Sequence, residues 1–163
     1  MAVVDSCILI HLSRIGRLSL LEGLRVVVTP EVYREVVVES GGRAGTAELE
    51  EAFEKWIQTA KVKSSDSRKI AGLGGIEETD ASLLLLARER REILVTNDKN
   101  LIRLARSMSV ECWWPATLIL NRLKAKKISP KEAEDILYEL VNTGLRMHAG
   151  VYAAIVTQIR LMK

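Results

Sequence analysis

Short apolar segments alternate with amphipathic helical patterns along most of this chain. The segments that we interpret as strands cover residues 2–4, 25–28, 92–96 and 110–114. Near-continuous apolar strands are typical of a parallel sheet that is covered by helices on both faces. Because a helical pattern follows each strand, the sequence predicts an α/β fold, a three-layer α/β/α sandwich with a central parallel sheet.

The last part of the chain has a different pattern. Residues 117–163 are expected to be helical throughout, and Ser129 with Glu132 has the spacing of a helix-initiating capping box. A final helix is predicted over about residues 147–161. We therefore expect a domain over residues 1–116 with a C-terminal helical extension packed on it.

Composition limits the classes of protein to which this chain can belong. At 163 residues with 48% apolar and only 4% aromatic content, one aliphatic core is expected. No apolar run is long enough to span a membrane, and no basic segment precedes the first strand as in a secretion signal. Cys7 and Cys112 lack metal-ligand spacing, which favours a reducing, cytoplasmic location. The net charge of +3 is compatible with nucleic acid as a partner without requiring it.

Two aspartates follow predicted strands at the point where each strand ends. Asp5 comes directly after the first strand, and Asp98 lies two residues after the strand over 92–96. Reacting groups in open α/β sheets gather beyond the carboxyl ends of the strands. Two carboxylates about 5 Å apart there repel by roughly 3 kcal/mol at an effective dielectric near 20. A cation between them would relieve that repulsion, so the pattern predicts a divalent-metal site suited to phosphate chemistry.

Two further acids can reach the same place. Asp80 lies in the first turn of a helix predicted over 78–91, and Glu35 lies on the flank of a helix over 31–39. Glu31 points nearly opposite on the helical wheel, while Glu39 remains an alternative. Each acid also has an ordinary explanation, as a helix N-cap, as a charge favoured by the helix dipole, or as solvated surface. The residues alone leave both interpretations open.

A glycine-containing segment precedes Asp80. Residues 61–75 are polar, and we expect a loop there with at most one short strand. Gly72 to Gly75 are not followed by the Lys-Ser/Thr pair of a phosphate-binding loop. A flexible hinge is therefore the expected role of these glycines.

Four motifs in fixed order resemble those of the PIN domain family. They are Val4-Asp5-Ser6-Cys7-Ile8-Leu9-Ile10, Thr29 to Val37, Thr79-Asp80-Ala81 with Leu83 to Ala87, and Leu94-Val95-Thr96-Asn97-Asp98. The resemblance covers about residues 2–115, and the tail is similar to a PIN-like subgroup with a helical extension. It implies a metal-dependent endoribonuclease that hydrolyses single-stranded RNA with Mg²⁺ or Mn²⁺. Since the family includes toxins of toxin–antitoxin pairs, an antitoxin protein and a second copy of the chain are candidate partners.

The resemblance also implies roles for individual residues. It assigns catalysis to Asp5, Glu35, Asp80 and Asp98, metal binding to Asp5, Asp80 and Asp98, and substrate contacts to Ser6 and Thr96. Many relatives have a further aspartate where this chain has Asn100, which would weaken a second metal. The alternative function is an RNA-binding or assembly module whose nuclease activity is weak or lost.

Overall fold

A five-stranded parallel sheet forms the centre of the computed structural model, which describes residues 1–162. The strand order is β3-β2-β1-β4-β5, so the first strand of the chain is the middle one. The strands are β1 (Ala2–Val4), β2 (Val26–Val28), β3 (Gln58–Thr59), β4 (Ile93–Val95) and β5 (Cys112–Trp113).

Helices cover the sheet and continue beyond it. They are α1 (Ser6–Arg14), α2 (Pro30–Tyr33), α3 (Thr46–Lys55), α4 (Ser67–Gly74), α5 (Glu78–Arg90), α6 (Lys99–Ser107), α7 (Pro115–Lys124), α8 (Pro130–Asn142) and α9 (Ala149–Leu161). A 3₁₀ turn covers Leu18–Leu21, and a π-helical turn over Arg34–Val38 continues α2. None of the helices described in residues 1–162 combines the length and apolar composition needed to cross a membrane.

The predicted α/β sandwich with C-terminal helices is confirmed. Helices α4, α5 and α6 pack together, as do α1, α3 and the π-helical turn, and α5 also contacts β1 and β4. Side chains of β1 and β2 are almost completely buried, as a parallel sheet covered on both faces requires. The same hydrophobic core includes residues of the tail, among them Ile136, Leu137, Ile155 and Ile159. The C-terminal extension is therefore part of one continuous core, whichever residue is chosen as a domain boundary.

Strand register brings the carboxyl ends of three strands to the same level. Val4 is paired with Val95, and the Asp5 N–H donates to the Val95 carbonyl at 3.0 Å. On the other side of β1, Val3 is paired with Val27. The same register, continued one residue beyond the Val4–Val95 pair and two residues beyond the Val3–Val27 pair, reaches Thr29, Asp5 and Thr96. These three residues therefore form a row across the edge of the sheet.

The region between α3 and α5 differs from the prediction. Helix α3 ends at Lys55, and the next residues form the edge strand β3, whose pairing with β2 continues in an Ala60 N–H bond to the Val28 carbonyl. The segment expected to be a loop contains α4, with Gly75 as its left-handed C-cap at φ 63°. Gly72 and Gly74 are thus helical residues, and the expected hinge is wrong. The cause is tertiary, since α4 packs along α5 and α6.

The helix that carries Glu35 is not a regular α-helix. After Tyr33 it widens into the π-helical turn, which is closed by a bond from the Glu39 N–H to the Arg34 carbonyl at 2.8 Å. Within this turn Val36 is buried, whereas Val38 is 65% exposed and Glu35 is exposed as well. Single π turns within helices occur frequently at functional sites.

Candidate active site

Asp5 is the most enclosed acid of the candidate site. Its side chain is only 6% exposed, and it caps α1 by accepting a long hydrogen bond from the Cys7 N–H at 3.4 Å. Burial raises the pKa of this carboxyl; hydrogen bonds from Thr96, Cys7 and Ser6 act in the opposite direction. The charge of Asp98 raises the pKa further. The fold thus holds a carboxylate where burial and a neighbouring charge both oppose its ionisation.

Thr96 connects the two aspartates. Its hydroxyl donates to Asp5 Oδ2 at 2.7 Å and accepts from the Asp98 N–H at 3.1 Å. Ser6 donates to the other carboxylate oxygen of Asp5, Oδ1, at 3.3 Å. The two hydroxyls that the sequence suggested as substrate contacts are therefore hydrogen-bonded to Asp5 and fix its orientation.

Asp98 lies at the start of α6. Its Oδ1 atom accepts from the Leu101 N–H at 2.7 Å, the bond of a normal N-cap. The side chain is exposed, unlike that of Asp5. Capping therefore accounts for part of the presence of both aspartates, as their ordinary explanation predicted. It does not account for their position next to each other at the end of adjacent strands.

Asp80 lies in the first turn of α5, and Glu35 lies in the π-helical turn that continues α2. The Asp80 pKa is raised from 3.8 to about 6, first by burial and then by the charges of Asp5 and Asp98. Burial likewise raises the Cys7 pKa to about 11, and the charges of Asp5, Asp98, Glu35 and Asp80 add to this effect. The thiol of Cys7 thus experiences the field of all four acids, although Glu35 itself is exposed on the surface.

The donor set matches a hydrated hard cation better than an enclosed one. Among residues 1–162, no three acidic, histidine or cysteine side chains lie close enough together to hold a metal ion directly. Mg²⁺ characteristically uses one or two carboxylates and keeps several waters. The charges of Asp5 and Asp98 raise the Asp80 pKa, and the charge of Asp98 raises the Asp5 pKa, so a positive charge among these acids would relieve a repulsion.

Thr29 is a further residue of this edge, and in the sequence it stands out only as the first residue of the second motif. It occupies the N-cap position of α2, but its side chain makes no capping bond. The hydroxyl is completely buried and has no hydrogen-bond partner among residues 1–162. Register places it beside Asp5, on the side opposite Thr96. The signal that could have identified it is its position directly after β2, which parallels Asp5 after β1.

The C-terminal extension also contacts the edge of the site. Asn97, the residue before Asp98, donates through Nδ2 to the Arg146 carbonyl at 3.1 Å. The His11 ring, in α1, is hydrogen-bonded to the Thr143 hydroxyl at 2.6 Å. Neither tail residue was expected near the site, because sequence gives no register between a terminal helix pair and the sheet.

A parallel α/β sandwich with acids beyond the carboxyl ends of its central strands belongs to a class of folds that is suited to metal-dependent phosphate chemistry. A family model described as PIN domain matches residues 1–160, and the chain belongs to the PIN domain family. The match includes the C-terminal helices, which extends the resemblance beyond residues 2–115. PIN domains are generally nucleases and typically use divalent metals. No curated protein and no solved structure shows a match to the chain.

Proposed function

We propose that the chain is an endoribonuclease that hydrolyses single-stranded RNA with the help of Mg²⁺ or Mn²⁺. The observation that carries the proposal is the continuous connection from Asp5 through the Thr96 hydroxyl to the Asp98 backbone. Asp80 shares its electrostatic field with both aspartates. An acidic edge of this kind on a PIN fold supports phosphodiester hydrolysis.

Each side chain of the edge would have a distinct task. Asp5, Asp80 and Asp98 would hold the cation, with Thr96 and Ser6 fixing the Asp5 carboxylate. The cation, when bound, supplies the positive charge that stabilises a phosphate transition state and acidifies water. Glu35 would orient the attacking water from the exposed side and accept its proton.

Cleavage of a labelled single-stranded RNA with Mg²⁺ or Mn²⁺ tests the proposal. Asp5→Asn is expected to lower the rate by a factor of about a thousand or more, since removing one major electrostatic contribution in an active site costs about that much. EDTA should abolish cleavage. Asp135→Asn provides the matched control because Asp135 lies on the exposed surface of α8, where it pairs with Lys131. Cleavage that persists with EDTA, or that Asp5→Asn leaves unchanged, would contradict the proposal.

The alternative, an RNA-binding or assembly module, is favoured by two observations. No ready-made group of three ligands exists within residues 1–162, and Asn100 replaces an acid of many relatives, its side chain accepting from Arg103 at 3.4 Å. RNA binding without metal-dependent cleavage would support this alternative.

We further propose that the chain acts in the cytoplasm, as the toxin of a toxin–antitoxin pair. The family membership supports this role. Growth arrest on expression, relieved by Asp5→Asn and by co-expression of a neighbouring reading frame, is the expected result. Normal growth with an active enzyme would indicate a housekeeping nuclease instead.

A further inference from the structure

The connection between α8 and α9, residues 143–148, lies against the candidate site. Two hydrogen bonds hold it there, one between His11 and Thr143 and one from Asn97 to the Arg146 carbonyl. His11 belongs to α1, the helix that Asp5 caps, and Asn97 immediately precedes Asp98. The backbone of Arg146 is therefore anchored directly beside one of the four acids.

The Arg146 side chain is exposed and makes no ion pair with residues 1–162. Arg160, the arginine of α9, pairs instead with Glu134 at 2.7 Å. Arg146 is thus an exposed cation whose backbone is anchored next to Asp98 and whose side chain pairs with no carboxylate of residues 1–162.

An acidic site poses an electrostatic problem for a nuclease, because RNA is itself a polyanion. The carboxylates repel the strand that they are to cleave, so cations beside the site must bind the neighbouring phosphates. Arginine suits this task, since its planar guanidinium forms paired hydrogen bonds to phosphate oxygens.

We propose that Arg146 binds a phosphate of the RNA strand next to the scissile one, so that the C-terminal extension completes the substrate groove. This inference rests on the proposed nuclease function. It gives the extension a role in substrate binding, beyond packing, and it makes Arg146 a residue that positions the strand over the acids.

Arg146→Ala tests the proposal cleanly because it keeps the backbone carbonyl that Asn97 binds. We expect KM for single-stranded RNA to rise about tenfold, the usual effect of losing a hydrogen bond to a charged group, with kcat little changed. Binding of the same RNA by the Asp5→Asn protein should lose about 0.7 from its log–log salt slope when Arg146→Ala is added. Arg146→Lys should restore the slope and part of the affinity.

Arg43→Ala is the matched control. Arg43 is an exposed loop arginine in the turn before α3, where Gly45 approaches Ser13 near the end of α1 remote from Asp5. Arg43→Ala removes one positive charge, as Arg146→Ala does, but it does so near the end of α1 that is remote from Asp5. It should therefore leave KM and the salt slope unchanged. Mn²⁺ binding and melting temperature should be the same in both variants.

The outcomes separate this inference from the proposed function. If the chain cleaves RNA and Arg146→Ala behaves like Arg43→Ala, the phosphate contact is wrong and the nuclease proposal stands. If no metal-dependent cleavage occurs, the nuclease proposal fails, and the salt slope of RNA binding still decides the role of Arg146. A chain that neither cleaves nor binds RNA overturns both.

Discussion

The protonation of the Asp80 carboxyl changes within a pH range that is easily accessible to experiment. Its pKa is raised from 3.8 to about 6, mainly by burial and then by the charges of Asp5 and Asp98. The folded protein therefore binds this proton more tightly than the unfolded chain does. Stability from this group is fully present below 3.8 and is lost as the pH rises through about 6.

We predict that Asp80→Asn makes the metal-free protein more stable than the wild type at neutral pH, with the difference disappearing in acid. Thermal melting of both proteins across this range measures it. His11, whose pKa burial lowers, is unchanged in the two proteins, whereas loss of the Asp80 charge also removes its repulsion with Asp5 and adds to the stabilisation at neutral pH. A difference in melting temperature that does not change with pH would show that the Asp80 charge is not responsible.

Thr29 and Thr96 form a matched pair on either side of Asp5. Both side chains are completely buried, but only the Thr96 hydroxyl has partners, while that of Thr29 has none among residues 1–162. An unsatisfied buried polar group costs about 1–3 kcal/mol. We predict that Thr29→Val raises the free energy of unfolding of the metal-free protein by about 1 kcal/mol, and that Thr96→Val lowers it by about 1–3 kcal/mol.

Urea denaturation of the two variants and the wild type measures both effects. Valine preserves the shape of threonine, so packing changes little in either case. Equal destabilisation by both substitutions would mean that the Thr29 hydroxyl has a hydrogen-bond partner in solution and is therefore not an unsatisfied group.

Secondary-structure elements differ in how well local sequence specifies them. Helix α8 is specified completely, because Ser129 accepts from the Glu132 N–H at 3.2 Å while the Glu132 side chain accepts from the Ser129 N–H at 2.8 Å. Strands β1 and β4 are also evident, since both are apolar and each is followed within three residues by an aspartate that caps the next helix. These elements rest on local chemistry, and it is they that carry Asp5 and Asp98.

The elements that sequence did not specify depend on tertiary contacts. Strand β3 has only two residues, and its pairing with β2 is a property of the assembled sheet. Helix α4 contains two glycines, which disfavour helix, and it is stabilised by packing against α5. The π-helical turn changes the directions in which the side chains after Arg34 point. A helical wheel drawn for a regular α-helix does not include this change. Thr29 and Arg146 were missed for the same reason, because their positions follow from strand register and from tail docking.

At the scale of the whole molecule, the C-terminal extension packs only part of its apolar surface into the core. The spacing of Met147, Val151, Ile155 and Ile159 predicts one apolar stripe along the last helix, and Ile155 and Ile159 are indeed buried in the common core. Val151, expected on the same stripe, is 41% exposed, and Leu161 is 77% exposed. The outward side of α9 has a single charged residue, Arg160, which is paired with Glu134. Most of the exposed residues of α9 are small or apolar, and the polar ones are Thr157, Gln158 and Arg160.

We predict that α9 forms a homodimer interface by packing against the same helix of a second copy. A two-fold axis would cover the outward apolar face on both subunits at once, which is the commonest way in which soluble proteins bury such a surface. Light scattering at micromolar concentration should give twice the 18.2 kDa mass of the chain. Leu161→Lys should reduce that mass to the monomer value, because it places a charge in the interface.

Leu73→Lys is the control for this substitution. Leu73 in α4 is exposed to the same extent, 77%, but it lies outside the C-terminal extension. Leu73→Lys tests whether a new surface lysine outside the interface also dissociates the dimer. It should leave the dimer intact. A mass of 18.2 kDa for the wild type would contradict the prediction. The packing of Ile155 and Ile159 against α7 and α8 would then be the whole structural role of α9, and its exposed face would need no partner.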